Sequence, residues 1–127
     1  MGNKQSAQSG PFKTITLRRD GKGALQFKGE RIGSATRTWT DDDQEPAEIH
    51  EVSAKLFKTS GGKYVAGIED YNKTAEQYHC RCGFADPSLD ALSETLRKNS
   101  EYSCNDDILG ELFEDTEIAE KFIEHID

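Results

Sequence analysis

The chain changes its hydrophobic period once, at Asp86-Pro87, and this single switch restricts it to a small set of folds. Upstream, apolar residues recur at every second position; downstream they recur at every third or fourth. Strand-forming sequence followed by helix-forming sequence, without interleaving, is the pattern of an α+β domain. In such a domain the helices cover one face of an antiparallel sheet instead of crossing between parallel strands.

Upstream of the switch the alternation comes in five blocks. Ile15 and Leu17 share one face of a first strand, with Thr14, Thr16 and Arg18 on the other. Asp20-Gly21-Lys22-Gly23 is a turn signal, because glycine accepts the positive φ of a hairpin loop. Leu25 and Phe27 point inward from a second strand, whose parity shifts after Gly29 toward Ile32, as a β-bulge or a break into two short strands would explain. That stretch runs through Thr40 into an acidic loop, Asp41-Asp42-Asp43-Gln44-Glu45-Pro46. Val52, Ala54 and Leu56 give a third strand one dry side. Ser60-Gly61-Gly62 turns the chain into a fourth carrying Tyr64, Ala66 and Ile68. After Tyr71-Asn72-Lys73-Thr74 a fifth places Tyr78, Cys80, Cys82 and Phe84 on one face. Short turns between consecutive strands make an antiparallel meander.

Downstream, Asp86 as N-cap and Pro87 at the first helical position predict a helix with Leu89, Leu92 and Leu96 as its apolar stripe, ending at Lys98-Asn99-Ser100. Asn105 or Asp106 caps a second short helix carrying Ile108, Leu109, Leu112 and Phe113. Asp115 or Thr116 opens a third, with Ile118, Ala119, Phe122, Ile123 and Ile126 at helical spacing. The expected architecture is therefore a meander of about five strands followed by three short C-terminal helices packed on one face.

With 127 residues the chain has the length of one domain, read here as a disordered leader over residues 1–10 and a single α+β domain over 11–127. No apolar run reaches the length of a membrane span, and no signal peptide is recognisable. Three cysteines, an odd number, point away from a disulfide framework and toward a reducing, cytoplasmic setting. Met1-Gly2-Asn3-Lys4-Gln5-Ser6 fits the N-myristoylation pattern, which carries meaning only in a eukaryotic host. Asn72-Lys73-Thr74 fits the glycosylation sequon, which carries meaning only in a secreted protein.

Charge is the strongest functional signal. Net charge is −8, but residues 1–40 hold eight Lys or Arg against two acids, whereas residues 101–127 hold one base, Lys121, against ten acids. The overall sign disfavours binding to a phosphate backbone, which rests on cation–phosphate neutralisation. Two surfaces stand out. The acidic one, Glu111, Glu114, Asp115, Glu117, Glu120 and Glu124, suits a basic partner, or imitation of a nucleic acid's phosphate spacing as in inhibitors of restriction or CRISPR complexes. The ordinary alternative is a solvated helix face. The basic one, Arg18, Arg19, Lys22, Lys28, Arg31 and Arg37, with Phe27 and Trp39 nearby, could serve a nucleic-acid-binding hairpin. Its ordinary alternative is a strand face whose cations blunt edge pairing.

Other chemistry is thin. In His79-Cys80-Arg81-Cys82 only one residue separates the thiols, unlike a zinc knuckle or a redox Cys-x-x-Cys. Cys80 and Cys82 then read as small core residues, and a metal site would need Cys104 and a remote histidine such as His50 or His125. The loop acids Asp41, Asp42, Asp43 and Glu45 lack the glycine and terminal glutamate of a calcium-binding loop. No catalytic triad, carboxylate pair or phosphate loop is present in the sequence, so no enzyme, cofactor or metal is expected.

The run Leu56-x-x-Thr59-x-Gly61-Gly62-Lys63-Tyr64-Val65, then Tyr78, then Ser88-Leu89-x-x-Leu92, resembles the strand-and-helix half of the EXLDI family over roughly residues 48–126. These are small bacterial proteins of unestablished function. The resemblance implies strands followed by helices and no activity. The chain departs from the family in lacking an N-terminal DNA-binding helical unit. The functional expectation is a small acidic interaction or regulatory protein acting on a protein partner, with nucleic-acid mimicry and nucleic-acid binding as the alternatives.

Overall fold

A computed structural model describes residues 12–99 and 106–126. The leader at Met1 to Gly10, Ser100, Cys104 and the alternative cap Asn105 lie outside the described residues. Strands β1 (Lys13–Arg19), β2 (Lys22–Asp41), β3 (Glu48–Thr59), β4 (Tyr64–Asn72) and β5 (Gln77–Asp86) are followed by helices α1 (Leu89–Lys98) and α2 (Asp106–Leu112) and a 3-10 turn at Ala119–Phe122. The strands form one antiparallel sheet in the order β1-β2-β3-β4-β5, the meander expected from the alternation. The sheet curls into a half-barrel.

The 20-residue β2 does two jobs. Its first half pairs with β1, with Ile15 opposite Phe27 and Leu17 opposite Leu25. Its second half pairs with β3, from Gly29 opposite Thr59 to Asp41 opposite Glu48. The register shifts between Arg31 and Gly33, leaving Ile32 as the extra residue, so the parity change in the sequence is a bulge within one strand and not a break into two.

The main core lies on the helix-covered face. Ala35, Val52, Ala54, Leu56, Ala66 and Ile68 meet Leu89, Leu92 and Leu96 of α1, Ile108, Leu109 and Leu112 of α2, and Phe113. Cys82 and Phe84 pack against the edge of this cluster, in keeping with the use of cysteine as a small apolar residue. Burying each of the larger side chains contributes about 1.5–3 kcal/mol relative to exposure.

The opposite face is dry in part as well, a point that the alternation in β4 did not anticipate. The β1–β2 hairpin folds across it, tied to β5 by Asp20 N–H donating to the Arg81 carbonyl (2.9 Å) and Arg81 N–H donating to the Asp20 carboxylate (2.8 Å). Leu17 then rests on Gly67 and Leu25 on Gly83, and Phe27 meets Phe57 edge-on at 5.4 Å. Val65 to Ile68 are consequently buried on both sides of the sheet.

Three local expectations are corrected. Tyr78 leaves the Cys80–Phe84 face because the register shifts between Asp70 and Tyr71. It pairs with Tyr71 on the other side, ring centroids 5.0 Å apart, and is exposed. The first helix is capped by Ser88, whose Oγ accepts from Ala91 N–H (3.1 Å). Asp86 instead closes β5 opposite Tyr64 and accepts from the Thr95 hydroxyl (2.9 Å). The third helix is reduced to the single 3-10 turn. Thr116 Oγ1 donates to the Phe113 carbonyl (2.7 Å), and the backbone bonds from Thr116, Ala119 and Lys121 each reach back three residues, so the segment tightens before α-helical spacing can develop. Ile123 is extended, and Ile123 and Ile126 are exposed instead of lying on a buried stripe. No helix among the described residues is long and apolar enough to cross a membrane.

Candidate functional site

The acidic surface is built on α2 and the segment after it. Its cations are already committed within the fold. Arg37 on β2 donates from Nε to Asp107 (2.8 Å) and from Nη1 to Glu111 (2.8 Å). Arg97 on α1 pairs with Asp106 (3.2 Å) and lies 5.0 Å over the Phe122 ring. Lys121 donates to Asp90 (3.0 Å), Glu94 (3.2 Å) and the buried Ser93 hydroxyl (3.1 Å), fastening the C-terminal segment onto α1. Glu120 pairs with His125 (3.0 Å). Of the six acids that the sequence singles out, Glu111 and Glu120 are thus engaged, whereas Glu114, Asp115, Glu117 and Glu124 are exposed with no ion pair among the described residues.

These contacts set the charge states. Hydrogen bonding to Arg37 holds the Asp107 carboxyl below its ordinary value of 3.8, and hydrogen bonding to Asp90 holds the Lys121 ammonium above its ordinary 10.5. A depressed carboxyl stabilises the fold above its unfolded value and loses that contribution as pH falls through its folded value. A raised ammonium stabilises below its unfolded value and loses that contribution as pH rises through its folded value. Thermal unfolding followed against pH is therefore expected to show an acid decline that becomes shallower in Arg37→Met and an alkaline decline that becomes shallower in Lys121→Met. Both changes are small because the pairs face solvent.

The basic residues do not converge as a set. Arg18, Lys22, Lys28 and Arg31 are exposed along the hairpin, and Arg19 donates to the Gly23 carbonyl within the turn (2.8 Å). Arg37 belongs to the acidic surface, where it neutralises α2. Phe27 is turned into the curl against Phe57, away from any base that could stack on it. Trp39 stacks on His50 at 5.4 Å and stays exposed on one side.

A third grouping escaped the charge count. The register that sets Asp41 opposite Glu48 and Trp39 opposite His50 gathers these four on the helix-side face, at the end of the sheet beyond the helices. His50 Nε2 is 3.6 Å from Glu48 Oε1, and His50 Nδ1 is 4.0 Å from Asp70 Oδ1 on β4. Asp70 is buried, and its Oδ1 receives no hydrogen bond among the described residues. The available sequence signal was a carboxylate on each side of a turn with a histidine two positions on.

No protein-family model, no curated protein and no solved structure matches this chain.

Proposed function

We propose that the protein is a non-catalytic interaction module that docks a basic protein partner on its C-terminal surface. The observation that carries this reading is the composition of residues 114–126. Four exposed carboxylates, Glu114, Asp115, Glu117 and Glu124, with no ion pair among the described residues, lie among two exposed isoleucines, with Ile123 51% and Ile126 84% accessible. Acids set beside exposed apolar side chains suit a protein interface, where apolar contacts supply affinity and charge supplies orientation. A phosphate mimic needs carboxylates and little else, and here Glu111 is neutralised by Arg37 within the fold and Glu120 is hydrogen-bonded to His125. Binding of nucleic acid through the hairpin is disfavoured by the inward turn of Phe27 and the engagement of Arg37.

The test is fluorescence anisotropy of a labelled amphipathic Lys/Leu peptide and of labelled DNA and RNA against the full chain, at low and moderate salt. The peptide is expected to bind with salt-weakened affinity. Replacing the four acids together (Glu114→Gln, Asp115→Asn, Glu117→Gln, Glu124→Gln) is expected to reduce that affinity about tenfold, from four exposed charges at about 0.3–0.5 kcal/mol each. Ile126→Ser in the wild-type background should weaken it too, without changing the salt slope. Binding of DNA or RNA without binding of the peptide would refute the reading.

A further inference from the structure

We propose that Asp41, Glu48 and His50 form a binding site for a divalent first-row transition-metal ion, with Asp70 positioning the imidazole. One ligand atom from each of the three, two carboxylate oxygens and a histidine nitrogen, lies within 4.8 Å of the others, and all three residues are half-buried. Ligand atoms around a tetrahedral or octahedral ion stand about 3.0–3.4 Å apart when bonds are near 2.1 Å. The His50–Glu48 separation of 3.6 Å is already close to that, and Asp41, whose Oδ1 also accepts from Asp43 N–H (3.1 Å), would have to close the remainder by rotating its carboxylate.

Asp70 supplies an independent sign of a ligand. It is 8% exposed, and its Oδ1 lacks a hydrogen-bond donor among the described residues, which is costly for a buried carboxylate. That oxygen faces His50 Nδ1 at 4.0 Å, while Nε2 faces Glu48. A histidine that coordinates through one nitrogen commonly donates the other N–H to a carboxylate, which fixes its tautomer and raises its basicity. Metal at Nε2 would place the proton on Nδ1, facing Asp70 Oδ1 across 4.0 Å, and a small turn of the ring or carboxylate would then give Asp70 the donor it lacks. Trp39, stacked on His50 at 5.4 Å, walls the ring on one side.

The donor set selects the ion. One imidazole among two carboxylates suits Zn2+ or Mn2+ better than Ca2+ or Mg2+, which prefer oxygen alone. Coordination positions beyond these three side chains would be left to water. This site shares no residue with the C-terminal acidic surface and stands or falls independently of it.

Trp39 is the chain's single tryptophan, so its emission reports on the site directly. MnCl2 and ZnCl2 titrated into the full chain, followed by Trp39 fluorescence and calorimetry, are expected to show one equivalent bound at micromolar concentration, with Mn2+ quenching the emission. CaCl2 and MgCl2 at the same concentrations should leave both signals unchanged. His50→Ala is expected to abolish binding, and Glu48→Gln and Asp41→Asn, which keep shape and fold, to weaken it at least tenfold. Asp70→Asn is expected to weaken it 10–100-fold with stoichiometry unchanged. Cys80→Ser/Cys82→Ser/Cys104→Ser should bind as the wild type does. The proposal is overturned by absence of Mn2+ and Zn2+ binding at millimolar metal, by binding that persists in Glu48→Gln and His50→Ala, or by binding lost with the thiols.

Discussion

Gly33→Ala is expected to destabilise the protein by about 3 kcal/mol, a large share of a typical domain's 5–15 kcal/mol. Gly33 sits at the β2 bulge opposite Leu56, and a Cβ there would run into the backbone carbonyl oxygen of Leu112, the last residue of α2. The obstruction is main chain, so no rotamer change relieves it: either α2 lifts off the sheet or β2 bows away. Lifting α2 would uncover Ile108, Leu109 and Leu112, all buried against the sheet. Gly23→Ala is the matched control, because nothing lies within 4 Å of a Cβ at that position. Urea unfolding monitored by far-UV circular dichroism should separate the two variants clearly. Equal midpoints would show that α2 is not seated on Gly33.

Phe113→Ala is expected to cost about 3–5 kcal/mol, the range for emptying a fully buried aromatic position. Phe113 has no accessible surface, and its ring lies 5.6 Å from that of Phe122, nearly parallel at 18°. Its backbone N–H also caps α2 by donating to the Leu109 carbonyl (2.9 Å). The side chain therefore joins α2 to the 3-10 turn, and truncation frees Phe122 and the acidic segment along with it. Phe113→Leu should recover more than half of the loss. A thermal midpoint within a degree or two of wild type for Phe113→Ala would mean that the helical layer is held mainly by its ion pairs.

The sheet was legible because its evidence is local. Alternation in Val52–Leu56 and Tyr64–Ile68, glycines in the turns and the parity slip near Ile32 each survive in the structure. What stayed hidden depends on contacts between distant segments. The second dry face of β4 needs Leu17 and Leu25 to arrive over Gly67 and Gly83, and alternation within β4 alone carries no trace of that arrival. Apolar spacing at Ile118, Phe122 and Ile126 matched a helix, yet of the three only Ile118 is buried in the core, Phe122 stacks on Phe113 and Ile126 is exposed, and the turn chemistry of Thr116 prevailed over the periodicity. The acidic residues were legible as charge, but Arg37 became the counter-ion of α2 across 70 residues of sequence. The Asp41–Glu48–His50 cluster is a product of hairpin register, and Asp70 joins it from a further strand, so a search for contiguous metal motifs passes over it.

Strand order in space repeats strand order along the chain, with connections of two to six residues. Each hairpin can close soon after its second strand is available, at little entropic cost, and need not wait for remote partners. The contacts that seal the helical side run instead from Leu109, Leu112 and Phe113 back to Ala35, Val52 and Ala66. A chain emerging N-terminus first would thus carry an assembled sheet whose oily side stays naked until the helices at Leu89–Lys98 and Asp106–Leu112 follow it, the interval in which aggregation threatens most.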